Sequence, residues 1–164
     1  MREINIRELK ENAVGLIADE WMLVGAGNEG GFNMMTASWG GLGEMWNKDV
    51  AVTVVRPQRY TYGFLEQNAL FSLSFFGDDK AEHAVCGSKS GRDLDKAAAT
   101  GLTPCFEHGT VTFEQARLTL ICRKIYVSDV KPECFIDRSL LNCYKDNDYH
   151  RAYVGEIIKV LVKE

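Results

Sequence analysis

Asn33, Met34, Met35, Thr36, Ala37, Ser38 and Trp39 place an amide, two hydroxyls and an indole on one strand-like run. Farther along, Arg56, Pro57, Gln58, Arg59, Tyr60 and Thr61 set two guanidiniums and a hydroxyl where a buried strand gives way to a helix. A third segment, residues 86–92, sets Lys89 and Arg92 among Ser88, Ser90, Gly87 and Gly91. Backbone edges, an apolar surface and cationic donors are what a planar, phosphorylated aromatic ligand requires. A phosphomonoester carries close to two negative charges and favours charge-assisted donors in a pliable, glycine-bearing backbone. Either cationic loop alone reads as a solvated charged turn. The two together, in a chain of net charge −4, predict a local phosphate site.

Elements must carry these groups. Ile6 to Ala18 has helix-compatible spacing, and Trp21 to Val24 reads as a buried strand ending in a glycine-rich turn. Residues 33–39 form the return strand, and the β-branched run 49–55 another. Thr61 is placed to cap a short helix through Phe64 and Leu65. Residues 71–75 alternate strictly, which predicts Phe71, Leu73 and Phe75 inward and Ser72 and Ser74 outward. Two helices are expected over 79–85 and 93–99, the second stopped by Gly101 and Pro104. Strands follow at 111–113, 118–127 and 153–162. Strands dominate and helices interrupt them mid-chain, so the expected fold is mainly β, a small β-barrel with helical insertions. With 164 residues and no linker or repeat, residues 1–164 read as a single domain.

Several other chemistries are excluded. Gly25-Ala26-Gly27-Asn28-Glu29-Gly30 matches a dinucleotide fingerprint, but Gly31 and Phe32 lead into a strand rather than the helix that motif requires. It reads instead as a hairpin turn. Residues 87–90 lack the upstream glycine of a P-loop. Cys86, Cys105, Cys122, Cys134 and Cys143 form no C-x-x-C pair, and with His83, His108 and His150 scattered, no metal site is expected. The thiols read as reduced and mostly packed. The acidic balance argues against nucleic acid. No apolar run approaches membrane length and the first residues hold no signal-peptide core, so a cytoplasmic protein is expected.

Four blocks carry a family resemblance. Asn-x-Met-Thr-Ala-Ser-Trp-Gly at 33–40, Arg-Pro-x-Arg-Tyr-Thr at 56–61, Ser-Gly-Arg-Asp-x-Asp-Lys at 90–96 and Asp-Tyr-His-x-x-Tyr-x-Gly-Glu-Ile at 148–157 resemble the flavin reductase-like family, in its flavoredoxin-like branch. The resemblance implies an FMN-binding split β-barrel, a homodimer with flavin near the subunit interface. It implies that Asn33, Met35, Thr36, Ala37, Ser38 and Trp39 line the flavin. Arg56, Arg59, Tyr60 and Thr61 would approach the ribityl chain and phosphate, and Lys89 and Ser90 would close over the phosphate.

The activity implied is flavin reduction by NADH or NADPH, with hydride passing to flavin N5 and no protein acid or base required. The alternative is a flavoredoxin-like carrier that holds FMN and passes electrons to an acceptor protein without its own nicotinamide-dependent turnover. For His150, a role at the flavin face and a hydrogen-bonding role holding the last strand both fit. Trp46, Tyr62 and Phe64 are expected near the flavin loops, where a dimer would cover them.

Overall fold

A computed structural model describes residues 1–77 and 80–163. Its strands are β1 (Arg2–Ile4), β2 (Met22–Asn28), β3 (Gly31–Ala37), β4 (Gly40–Met45), β5 (Lys48–Val55), β6 (Leu70–Phe75), β7 (Pro104–Cys105), β8 (Thr112–Phe113), β9 (Leu118–Asp129) and β10 (Arg151–Val162). The α-helices are α1 (Ala13–Gly15), α2 (Tyr60–Gln67), α3 (Ala81–Ser88) and α4 (Lys96–Thr100). The main sheet is antiparallel throughout and runs β3-β2-β6-β9-β10-β5-β4, with β1 added beside the end of β10.

The link between β3 and β4 dictates the shape. These strands stand at opposite ends of the hydrogen-bonded path, yet only Ser38 and Trp39 join them. Three Cα steps reach about 11 Å at most. The sheet must therefore curl until its two edges face each other across a seam, a barrel left split because no ladder joins β3 to β4. Phe71, Tyr153, Leu73, Leu120 and Met22 fill the interior. A second apolar cluster, with Leu23, Met34, Cys86, Val111 and Phe113, seats α3 and α4 against the outside of β2 and β3. This is the mainly β barrel with helical insertions that the sequence predicts.

Local expectations fared unevenly. The helix expected over 6–18 is broken into a 3-10 turn at Ile6–Glu8, then α1 and a π-turn at Leu16–Glu20. Asn5 caps the first turn, but the backbone is extended at Leu9 and again at Asn12, whose side chain caps a new turn, so the chain restarts there rather than continuing one helix. β2 continues through Gly25-Ala26-Gly27 to Asn28, and the hairpin turn is confined to Glu29 and Gly30.

Ser72 and Ser74 point away from Phe71, Leu73 and Phe75 as expected, but the face they occupy is covered rather than exposed. β6 lies between β2 and β9, and both serines are fully buried with partners: Ser72 donates to the Val111 carbonyl at 2.5 Å, and Ser74 meets Thr119 Oγ1 at 3.2 Å. The helix expected from Asp79 begins outside the described residues, and its described part is α3. Cys86 and Cys122 are buried, but Cys134 and Cys143 are exposed, so the thiols are less packed than expected.

Candidate functional site

The seam holds a cavity of about 290 Å³, lined by Met35, Thr36, Ala37, Ser38, Trp39, Val54, Arg56, Arg59 and His150. The β3–β4 link forms one wall because it must cross from edge to edge there. Trp39 stands at the mouth, 46% exposed, its ring 5.2 Å from the His150 ring. Arg56 is committed on its far side: it pairs with Asp148 and donates to the Cys143 carbonyl at 3.0 Å. Gln58 donates to the same Asp148 carboxylate at 2.8 Å.

Beside this lies a cavity of about 170 Å³ lined by Gln58, Arg59, Tyr60, Thr61, Ser88, Lys89, Ser90, Arg92 and Lys96. Arg59 belongs to both cavities, so they adjoin. Four cationic side chains line the second cavity, and no carboxylate does among the described residues. None of the four forms an ion pair among those residues, whereas Arg56 does.

Arg59 donates instead to the carbonyls of Gly87 (2.9 Å) and Cys86 (3.3 Å), and Lys96 to those of Met34 (2.9 Å) and Cys86 (3.0 Å). These carbonyls fix the two cations without neutralising them. Burial, and then the neighbouring Arg56, lower the Arg59 pKa; burial likewise lowers that of Lys96. Arg92 lies over the Tyr60 ring at 4.8 Å. An uncompensated positive cluster of this kind is a receptor for an anion.

The predicted residues divide between these places. Met35, Thr36, Ala37, Ser38, Trp39 and Arg56 line the seam cavity, Tyr60, Thr61, Lys89 and Ser90 the cationic one, and Arg59 both. Asn33 lines neither; it is buried and donates to Thr61 Oγ1. That bond also occupies the hydroxyl expected to cap α2, whose N-cap is Arg59 with no side-chain bond. Thr36 donates its hydroxyl to the His83 carbonyl at 2.8 Å.

Arg92, already read with Lys89 as part of a cationic loop, and Lys96, which stood inside the block at 90–96 without a role, complete the cationic cavity. Lys96 is 4% exposed, and only three-dimensional structure brings its ammonium back from α4 to the cavity. Trp46 lies away from the site, at the turn between β4 and β5 against Tyr126, and Tyr62 packs on Tyr153. Among the described residues no cluster of His, Cys, Asp and Glu could hold a metal ion, and no helix is long and apolar enough to cross a membrane.

The sequence pattern of the flavin reductase like domain matches residues 14–164. The chain belongs to the flavin reductase-like family. Among solved structures it is similar to a flavoredoxin from Methanosarcina acetivorans, at 22% identity and TM-score 0.68, over 88% of this chain and 69% of that one. It is similar to the flavoredoxin of Desulfovibrio vulgaris (Miyazaki F), at 22% identity and TM-score 0.67 over the same shares, 88% and 69%. It also resembles an FMN-binding protein from Thermus thermophilus solved with 1-cyclohex-2-enone, at 24% identity and TM-score 0.66 over 99% and 80%. At these identities the likeness is one of fold. No curated protein matches by sequence.

Proposed function

We propose that the chain binds FMN as a single domain and acts as an NAD(P)H-dependent flavin reductase. The observation that carries this reading is the pair of adjoining cavities sharing Arg59, one walled by the β3–β4 link and one holding four cations without a carboxylate. The donor set fits the ligand. Arg59, Lys89, Arg92 and Lys96, with Ser88 and Ser90, suit a phosphate dianion, while the backbone of residues 35–39 and Trp39 suit a planar ring.

A third cavity of about 540 Å³ adjoins the cationic one through Tyr60, Arg92 and Lys96. Glu29, Asp93 and Asp95 line it and would repel a second phosphate, so FMN should bind better than FAD. Bound FMN supplies a ring nitrogen that accepts hydride from a reduced nicotinamide. The protein's part is to hold the phosphate, orient the ring against the 35–39 backbone and leave one ring face open beside Trp39.

A second reading, a flavoredoxin-like electron carrier, is favoured by the half-exposed Trp39 at the mouth, which would put the flavin edge within reach of an acceptor protein. Cytoplasmic location and a homodimer belong to the same proposal. Trp46, Tyr126, Met45 and Ile158 are exposed apolar side chains that a second copy would cover.

The deciding experiment is the visible spectrum of the purified protein with added FMN, followed by anaerobic NADH or NADPH. Uptake of FMN and bleaching by either donor is the expected result. Bleaching by dithionite alone selects the carrier, and failure to take up FMN overturns both readings.

A further inference from the structure

Tyr144 follows the 3-10 segment Arg138–Cys143 and is buried, although it lines no part of the seam cavity. Its ring stacks on Tyr149 with centroids 4.7 Å apart, meets Phe135 at 5.9 Å and lies beneath the Arg56 guanidinium at 5.4 Å. A ring held on three sides keeps its hydroxyl in one place. That hydroxyl lies 2.9 Å from His150 Nδ1. His150 itself lines the cavity with its ring against Trp39. With Nδ1 engaged by Tyr144, Nε2 is the nitrogen left for the cavity.

We propose that Tyr144 is a positioning residue whose hydroxyl donates to His150 Nδ1, fixing the tautomer with hydrogen on Nε2. The cavity wall then presents an uncharged N–H donor to an uncharged acceptor of the bound ligand, a carbonyl oxygen or an unprotonated ring nitrogen. The reverse arrangement, Nδ1–H donating to the tyrosine oxygen, would leave the Tyr144 O–H buried with no acceptor among the described residues, at a cost of about 1–3 kcal/mol.

The surrounding charges support a neutral ring. Burial and the Arg56 cation push the His150 pKa down to about 4, opposed by Asp148, and burial raises that of Tyr144. Near neutral pH the pair is therefore a neutral phenol and a neutral imidazole, in which the tautomer is set by the hydrogen bond that the other nitrogen makes. The consequence for a bound ligand rests on the flavin reading above; the tautomer itself does not.

Nitrogen-15 NMR of the histidine rings in flavin-free protein near neutral pH tests it. For His150 the expected result is a pyrrole-type Nε2 and a pyridine-type Nδ1. In Tyr144→Phe, which removes only the hydroxyl, His150 should shift to a mixture of tautomers while the His83 signals stay in place. A wild-type His150 with its hydrogen on Nδ1 overturns the proposal, and so does a Tyr144→Phe protein with the single Nε2–H tautomer retained. The wild-type spectrum alone stays decisive should the variant fail to fold. Because no flavin is present, failure here is distinguishable from failure to bind FMN.

Discussion

The Asn33 side-chain amide donates to the Thr61 hydroxyl across 2.8 Å, joining the middle of β3 to the first turn of α2 inside the protein. Both residues are buried, so neither group has water as a substitute partner. The bond holds together the two elements that supply most of the candidate site: the strand leading to Trp39 and the turn bearing Arg56 and Arg59. Thr61→Val keeps the shape and strands the amide, which should cost about 1–3 kcal/mol. Thr61→Ser keeps the oxygen and loses only a methyl, about 1 kcal/mol. Urea unfolding of the two variants checks the ranking; a Thr61→Val protein as stable as wild type would mean the hydroxyl contributes nothing.

Lys89 tests the phosphate assignment. It lines the cationic cavity between two serines and forms no ion pair among the described residues. Losing one charge-assisted contact costs about 1.5–3 kcal/mol, roughly ten- to a hundred-fold in affinity. Lys89→Ala should weaken FMN by that factor and riboflavin, which has no phosphate, only slightly. Dissociation constants for both ligands decide it, and equal effects would remove Lys89 from the phosphate site.

What was legible in the sequence followed from short-range rules. The strands containing residues 33–37 and 49–55 announce themselves by composition, and the glycine fingerprint could be dismissed because a strand follows it. Ser72 and Ser74 misled because alternation reports the period of a strand but not whether both its faces are covered, which here depends on the segment at Val111 and β8 packing over the outer face of β6. Thr61 misled because α2 begins earlier than expected, with Arg59 at the N-cap, which leaves the Thr61 hydroxyl inside the first turn to accept from Asn33, distant in sequence. Lys96 and Tyr144 were silent for the same reason: each acts through a partner that only the folded chain supplies, carbonyls of Met34 and Cys86 for one and His150 for the other.

Acid should destabilise the protein through two histidines. Burial first, then Lys80, push the His83 pKa down to about 4, opposed by Glu20; His150 is lowered to about 4 as well. The unfolded chain takes up protons at about pH 6.5, before the folded one does. Stability is therefore full above about pH 6.5, falls as pH drops towards 4, and levels off below that as far as these groups act. Each histidine contributes up to about 3 kcal/mol to the fall.

Asp148 and Glu156, held low chiefly by hydrogen bonds from Arg56 and Lys48, add to the loss at lower pH. In His83→Phe the ring between Trp21 and Phe76 is kept and the titration removed. Its stability should fall about half as steeply between pH 6.5 and 4, measured by urea midpoints. A slope equal to wild type would exonerate His83.

Gly91 tests whether the 88–92 loop must press on β3. A Cβ there would lie 2.1 Å from Asn33 Oδ1 and 2.9 Å from Tyr60 Cδ1. Asn33 cannot retreat, because its amide is held by Thr61 and its side chain is enclosed. Either that bond breaks or the loop moves outward with Lys89 and Arg92. Overpacking of this kind costs about 1–3 kcal/mol. Gly91→Ala should therefore lower the urea midpoint and weaken FMN more than riboflavin, since the displaced side chains line the cationic cavity. Gly43→Ala is the matched control: a Cβ there meets nothing within 4 Å. It should remain within about 0.5 kcal/mol of wild type. If Gly91→Ala matches Gly43→Ala in both stability and FMN affinity, the loop is free to shift and the packing of Gly91 on Asn33 does not define the cavity.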